Sequence, residues 1–338
     1  MRPELVQRGL LFCGGLAFFL YGMRLLSERL RFLCGSAPER RLRRLTDSRG
    51  KAIALGAGLT VCVQSSSAVT VLLVGLADAG VLLPAQTLGL IIGSNLGTTL
   101  TPWLFSFGGA QQGGSWSGLL HPEQLALAAA LIGVCLLLRK KEKPRTLGGC
   151  VFGLSLLLHA MTLMTRSTRG IETLPLYTAA MEKLQNPLSA LLVGTAFTAL
   201  VQSSAASVGV LQGLALTGGI SWGTALALVL GQNIGTCGTA LLSSLGGEKN
   251  AKRVAMLHLL FNVVGAAVCL PLAYGINALL PEPFLLTAVT PAGVALCNTL
   301  SNAVTALVFF PFLPRRSRRS LYPKFYKPDG AKHLDLQP

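Results

Sequence analysis

Gln64-Ser65-Ser66-Ser67 interrupts an apolar run from residue 52 to 77, and Gln202-Ser203-Ser204 interrupts a second run from 190 to 216. Residues 52–63, as a helix, reach only about 18 Å, which is too short for a hydrocarbon core of about 30 Å. Polar backbone at mid-depth is tolerated only where it is buried in protein or lines a wet cavity. The pattern therefore predicts two re-entrant helical hairpins, about 52–77 and about 190–216, with polar tips near the bilayer midplane.

The two runs are copies. With an offset of 138 positions, residues 56–99 align with 194–237 without a gap, and 18 of the 44 positions are identical. The matches include Gln64/Gln202, Ser65/Ser203, Ser66/Ser204, Gly93/Gly231, Asn95/Asn233, Gly97/Gly235 and Thr98/Thr236. Shared Leu, Ala and Gly could reflect composition, but a shared Gln-Ser-Ser and a shared Gly-x-Asn-x-Gly-Thr at one offset do not. The offset extends back to Gly15/Gly153 and Met23/Met161, so the apolar stretch 9–26 reads as a retained span rather than a cleaved signal peptide.

Further apolar segments lie at about 85–107, 122–138, 146–165, 222–245, 254–280 and 284–312. The 338 residues are 51% hydrophobic and 12% charged, against about 25% charged in soluble domains. With a mean hydropathy of +0.58, this excludes disorder and argues against a soluble enzyme. The net charge of +16 is first a topology signal, and no nucleic-acid partner is expected. None of the eight cysteines forms a Cys-x-x-Cys pair or sits near a histidine at zinc spacing. No Ser-His-Asp arrangement is evident, and the chain is not expected to be an enzyme.

Charge sets the orientation. If the hairpins re-enter and the N-terminus is outside, the loops 24–51, 139–145 and 246–253 and the tail lie inside with 24 Lys/Arg, against five outside. If both interrupted segments crossed, the balance would be 22 to seven, so charge favours re-entry modestly. Three spans then separate the hairpins, and the halves have opposite orientation, an inverted repeat as in many secondary transporters. The expected fold is an all-α polytopic membrane protein. Residues 1–138 form one inverted repeat, 139–313 the second plus a final span, and 314–338 a basic cytoplasmic tail. Each repeat carries a re-entrant hairpin and a broken transmembrane helix.

At the tips, hydroxyls and amide oxygens are neutral hard ligands suited to a monovalent cation, while the helix that starts after each tip points N–H groups at an anion. Small residues there also permit close helix packing, and two copies in register favour the functional reading. In Gly93-Ser94-Asn95-Leu96-Gly97-Thr98-Thr99 and Gly231-Gln232-Asn233-Ile234-Gly235-Thr236-Cys237, paired glycines are expected to weaken the helix and free carbonyls for an ion. No Lys or Arg lies within an assigned span except Arg24, near the end of 9–26, and Asp78 reads as interfacial. His159 and His258 read as packing or capping residues near span ends. These observations reach a cation-coupled transporter with an oxyanion-friendly midplane site.

The paired motifs resemble those of the type II sodium–phosphate cotransporters, in particular their short prokaryotic members. The similarity rests on 64–67 with 93–99 and 202–205 with 231–237. Leu20-Tyr21-Gly22-Met23 and His258-Leu259-Leu260-Phe261-Asn262 support it, and it covers about 10–312. The chain departs from the family pattern at Ala205, in place of a third Ser, and at Cys237, in place of Thr. The resemblance implies Na+-coupled symport of inorganic phosphate by alternating access, with Na+ as co-transported ion and no organic cofactor. It implies phosphate contacts from Gln64, Ser65, Ser66, Ser67, Gln202, Ser203 and Ser204. It implies Na+ contacts from Gln64, Ser65, Asn95, Thr98, Thr99, Gln202, Ser203, Asn233 and Thr236. The expected partners are phosphate, Na+ and membrane lipid in a plasma (inner) membrane, and a homodimer is compatible with this reading. Transport of another oxyanion, and a non-transporting sensor or scaffold that docks through the basic loop 24–51, remain as alternatives.

Overall fold

The computed structural model describes residues 3–34, 48–108, 122–168 and 175–313. The basic run Arg40–Arg44 and the tail 314–338 lie outside the described residues. The first half comprises α1 (Pro3–Cys34), α2 (Arg49–Val63), α3 (Ser66–Asp78), α4 (Pro84–Thr98), α5 (Leu100–Gly108) and α6 (Pro122–Leu137). The second comprises α7 (Glu142–Thr168), α8 (Pro175–Leu184), α9 (Pro187–Val201), α10 (Ser204–Ala215), α11 (Trp222–Gly235), α12 (Cys237–Ser244), α13 (Lys249–Leu279) and α14 (Pro291–Phe309). No strand occurs among the described residues, apart from a single bridge between Ser221 and Ala288. Among the described residues, three stretches are long and apolar enough to cross a membrane: Trp222–Ser244, Lys249–Leu279 and Pro291–Phe312. The chain is an all-α membrane protein.

Local chemistry sets the helix starts. Ser48, Asn186, Ser221 and Thr290 accept first-turn N–H groups, and Pro84, Pro187 and Pro291 occupy positions where a missing N–H costs nothing.

Close approach of backbones defines the hairpins. Gly89 lies against Ala52, Gly93 against Ile53 and Ala57, and Gly97 against Ala57 and Thr60. Both numbers rise together, so α2 and α4 run parallel. The intervening α3 must therefore run back from the end of α2 to the start of α4. In the second half, Gly231 meets Leu191 and Thr195, while Gly235 meets Thr195 and Thr198. Thus α9 and α11 are also parallel, with α10 returning between them. At Gly93 and Gly231 an added Cβ would fall on a backbone carbonyl oxygen of the facing helix. This corrects the sequence expectation: α4 and α11 run helical through Gly-x-Asn-x-Gly, and the glycines admit a neighbouring helix instead of weakening their own. The interruption is a single residue further on, at Thr99 and Thr236, and both keep right-handed helical backbone.

The halves interlock. The returning arm α3 packs on α12 of the other half, and its counterpart α10 packs on α5. The repeat-equivalent helices α1 and α7 lie side by side, with Gly22 against Gly153 and Arg29 against Gly149. One number rises as the other falls, so these two helices are antiparallel. Two apolar clusters sit behind the hairpins, one around Leu73, Ile91, Val254 and Phe261, the other around Val208, Ile220, Val229 and Val294.

Candidate functional site

Each hairpin turns on two residues. Gln64 (φ 55, ψ 29) ends α2 and Gln202 (φ 55, ψ 23) ends α9, both in left-handed backbone. They are the only non-glycine residues with positive φ among the described residues. That conformation costs roughly 1–2 kcal/mol for an L-residue, and such strain concentrates at functional sites. The next residue is extended and caps the returning helix: Ser65 Oγ accepts from Ala68 N, and Ser203 Oγ from Ala206 N, each at 3.2 Å. As at any helix start, the N–H groups of Ser66 and Ser67, and of Ser204 and Ala205, have no acceptor within their own helix. Each tip joins its orphan donors to buried hydroxyls, Ser66 and Ser67 at the first and Ser204 at the second. The arrangement is suited to an oxyanion.

The other expected residues lie on α4 and α11 and at the junctions that follow them. The Asn95 Nδ2 donates to Ile91 O at 3.0 Å, Thr98 Oγ1 to Ser94 O at 2.9 Å, Thr99 Oγ1 to Leu96 O at 2.7 Å and Thr236 Oγ1 to Asn233 O at 2.6 Å. Each side chain donates a hydrogen to its own helix, and such an oxygen retains lone pairs able to accept. Asn233 is buried, and its carbonyl accepts from both Thr236 and Cys237. With Cys237 in place of Thr, that position contributes a thiol, which also contacts His258 O and receives Asn262 Nδ2.

The tips are not equivalent. Gln64 is buried; its Nε2 donates to Val61 O at 2.8 Å, and its Oε1 accepts from Thr101 Oγ1 of α5 at 3.2 Å. Gln202 is exposed. Its Thr101 counterpart, Thr239, donates to its own helix at Thr236 O. A second asymmetry lies behind the tips. Thr60 and Ser94 share a 2.7 Å hydrogen bond between α2 and α4. At the equivalent pair, Gln232 Nε2 donates to Ser207 O at 3.1 Å, and both Thr198 Oγ1 and Gln232 Oε1 are buried without a partner.

Several polar residues were missed by sequence reasoning: Thr60, Ser94, Thr101, Gln212, and the buried row Asn298, Ser301, Asn302 and Thr305 on α14. That row has helical spacing and was visible in the sequence, but it lies outside the repeat that directed attention. Asp78 is exposed, and its Oδ1 accepts from Glu248 N at 2.7 Å, joining the first hairpin to the start of α13. His258 is fully buried three turns into α13, and neither ring nitrogen has a partner; it is not an end cap. Among the described residues no cluster of metal-binding side chains occurs.

The model of the Na+/Pi-cotransporter family matches residues 18–166 and 175–277. "Uncharacterized protein YqeW" of Bacillus subtilis (strain 168) is 31% identical over 300 residues, covering 87% of this chain and 91% of that protein. "Putative inorganic phosphate export protein YjbB" of Escherichia coli (strain K12) is 28% identical over 305 residues, covering 89% of this chain and 53% of that protein. The chain thus spans about half the length of that relative. Human "Sodium-dependent phosphate transport protein 2B" is 38% identical over 89 residues, 25% of this chain and 13% of that protein. No solved structure matches the chain.

Proposed function

The chain belongs to the Na+/Pi-cotransporter family, and on that premise we propose that it is a Na+-coupled symporter of inorganic phosphate that works by alternating access. The observation that carries the reading is the pair of tips, each with a left-handed Gln followed by a capping Ser and free helix N–H groups. Gln64, Ser65, Ser66, Ser67, Gln202, Ser203 and Ser204 form the phosphate shell. Asn95, Thr98, Thr99, Asn233 and Thr236, with Gln64, Ser65, Gln202 and Ser203, supply oxygen to Na+. The pocket is neutral before loading, so the co-bound cations offset the anion's charge. A tenfold Na+ gradient supplies about 1.4 kcal/mol per ion. Each net charge moved through 100 mV adds about 2.3 kcal/mol.

The halves 1–138 and 139–313 are inverted repeats, and both hairpins re-enter the membrane. The antiparallel crossing of the equivalent helices α1 and α7 supports this arrangement. The basic segments lie in the cytoplasm and the N-terminus outside, in the plasma membrane. Three contacts join segments assigned to that side: Arg49 with Leu313 O, Asp78 with Glu248, and Arg29 with Gly149. The interlocked arms α3·α12 and α10·α5 offer two equivalent surfaces for exchanging access between sides.

The test is uptake of radiolabelled phosphate by proteoliposomes with and without a Na+ gradient. Na+-dependent uptake by the wild type, abolished in Ser66→Ala plus Ser204→Ala, is the expected result. Uptake unchanged in the double variant refutes the site. The name of the Escherichia coli relative favours a second reading, phosphate export. Vesicles preloaded with phosphate and given no Na+ gradient would release it under that reading.

A further inference from the structure

The last long helix, α14, has its polarity reversed for a soluble helix. Asn298, Ser301, Asn302 and Thr305, at spacings of three and four, are all buried, whereas Leu296, Leu300 and Leu307 are exposed. Helices in a membrane show this pattern when one face meets lipid and the other meets the bundle interior or a solute path. The helix has no counterpart in the repeat, so the symmetry of the hairpins does not require the polar row.

The row divides by direction. Ser301 and Thr305 meet α13: Cys269 Sγ contacts Ser301 O, and Gly265 sits against Thr305. Thr299, on the other flank, accepts from Trp103 Nε1 of α5 at 3.0 Å. At about 100° per residue, Asn298 and Asn302 fall between these flanks. Along its length α14 also packs on α4, α10 and α11, which carry the motif residues.

Asn298 is 1% exposed. Its Oδ1 accepts from Asn302 Nδ2 at 2.6 Å, which fixes the amide and turns Nδ2 away from that bond. Nδ2 has no partner. Its depth follows from α10. The Gln212 Nε2 donates to Pro102 O at 2.9 Å and to Pro291 O at 2.8 Å, which pins α10 to both α5 and the first residue of α14. Val289 N donates to Ile220 O at 2.8 Å, so α14 begins where α10 ends and the two run in opposite directions. From the Gln212–Pro291 contact, Ser204 lies about 12 Å back along α10 and Asn298 about 10 Å along α14. Asn298 therefore stands at the depth of the second tip.

The geometry points to Asn298 as a further ligand of the transported anion, its fixed and unpartnered Nδ2 donating to an oxygen of the phosphate held at the tips. The inference rests on the phosphate reading given above. A neutral amide suits the task, because it adds a directed donor to a pocket without Lys or Arg and lets the anion leave again. Asn302 acts through Asn298, as a positioning residue.

The test compares the wild type with Asn298→Asp and Asn298→Ala, in phosphate uptake by proteoliposomes and in phosphate binding to the detergent-solubilised protein. Asn298→Asp keeps the shape and the oxygen that Asn302 reaches but replaces the donor with an oxygen. Asn298→Ala should raise KM for phosphate about tenfold, the loss of one hydrogen bond to a charged group. Asn298→Asp should raise it further, with the Na+ concentration for half-maximal uptake changed less than twofold in Asn298→Ala. Ser301→Ala, facing α13, should leave KM unchanged. If the Asn298 variants lose maximal rate or thermal stability while KM and binding stay at wild-type values, the residue is only packing and the inference fails. A wild type that transports phosphate, with Asn298 variants indistinguishable from it, overturns this inference and leaves the transport reading standing. A wild type that neither binds nor transports phosphate overturns both.

Discussion

Substituting Gly93 by Ala sets two physical readings against each other. Had the glycine served to loosen α4, alanine would stabilise that helix by about 1 kcal/mol, the intrinsic preference for Ala over Gly. In the fold the new Cβ meets the carbonyl oxygen of Ile53 and the backbone N of Ala57, and neither can rotate aside as a side-chain tip could. Overpacking a tight interior costs about 1–3 kcal/mol, and a backbone obstacle places this case at the upper end. The net expectation is a loss of about 2 kcal/mol. Gly58, on the exposed side of the neighbouring α2, is the control: nothing lies within 4 Å of its added Cβ. Its repeat counterpart is Ala196, whereas the counterpart of Gly93 is Gly231. Gly58→Ala should therefore gain about 1 kcal/mol. For a chain of this size, each kcal/mol moves the midpoint by about 1–2 °C. Thermal unfolding in detergent, followed by fluorescence-detected size exclusion, should show Gly93→Ala falling by about 3 °C and Gly58→Ala rising by about 1 °C. A Gly93→Ala protein at least as stable as wild type would refute the close parallel packing of α2 on α4, and with it the geometry that makes α3 a returning arm.

The same assay should separate Thr60→Val from Thr198→Val. Thr60→Val breaks the buried bond to Ser94 and should cost about 1–2 kcal/mol, whereas Thr198 has no partner to lose and its variant should be neutral or stabilising. Equal effects would argue against the asymmetry between the halves. Gln202→Gly relieves left-handed strain at an exposed residue and should stabilise by about 1 kcal/mol while reducing transport. Gln64→Gly also removes bonds to Val61 and Thr101, so its stability should not rise. Loss of the caps in Ser65→Ala or Ser203→Ala should lower stability by about 1 kcal/mol each, measured by unfolding midpoint.

Much of the framework was legible in one dimension. An apolar run interrupted at its centre by Gln-Ser-Ser cannot continue as a simple span, and the structure breaks both runs there, between Val63 and Ser66 and between Val201 and Ser204. The repeat located the second copy of every motif. The meaning of the glycines was less accessible, because low helix propensity and the absence of a side chain in a tight contact leave the same letter in the sequence. Only the facing carbonyls of Ile53 and Leu191 decide between them. The polar row on α14 was present at helical spacing, but a search led by internal repeats passes over an unrepeated helix.

Polarity and periodicity along the chain settled that this protein lives in a membrane, that it is built of helices, and that two polar turns recur in it. Those properties follow from transfer free energies of individual side chains, which each residue carries wherever it lies. Which tip is covered and which is open, which oxygens are paired, and which buried amide is left without a partner depend on neighbours from distant parts of the chain. Gln64 and Gln202 share a backbone conformation and a local sequence, yet one is sealed by Thr101 and the other is not. The difference arises from packing between halves, where small changes such as Ser94 against Gln232 redirect hydrogen bonds that a linear alignment leaves equivalent.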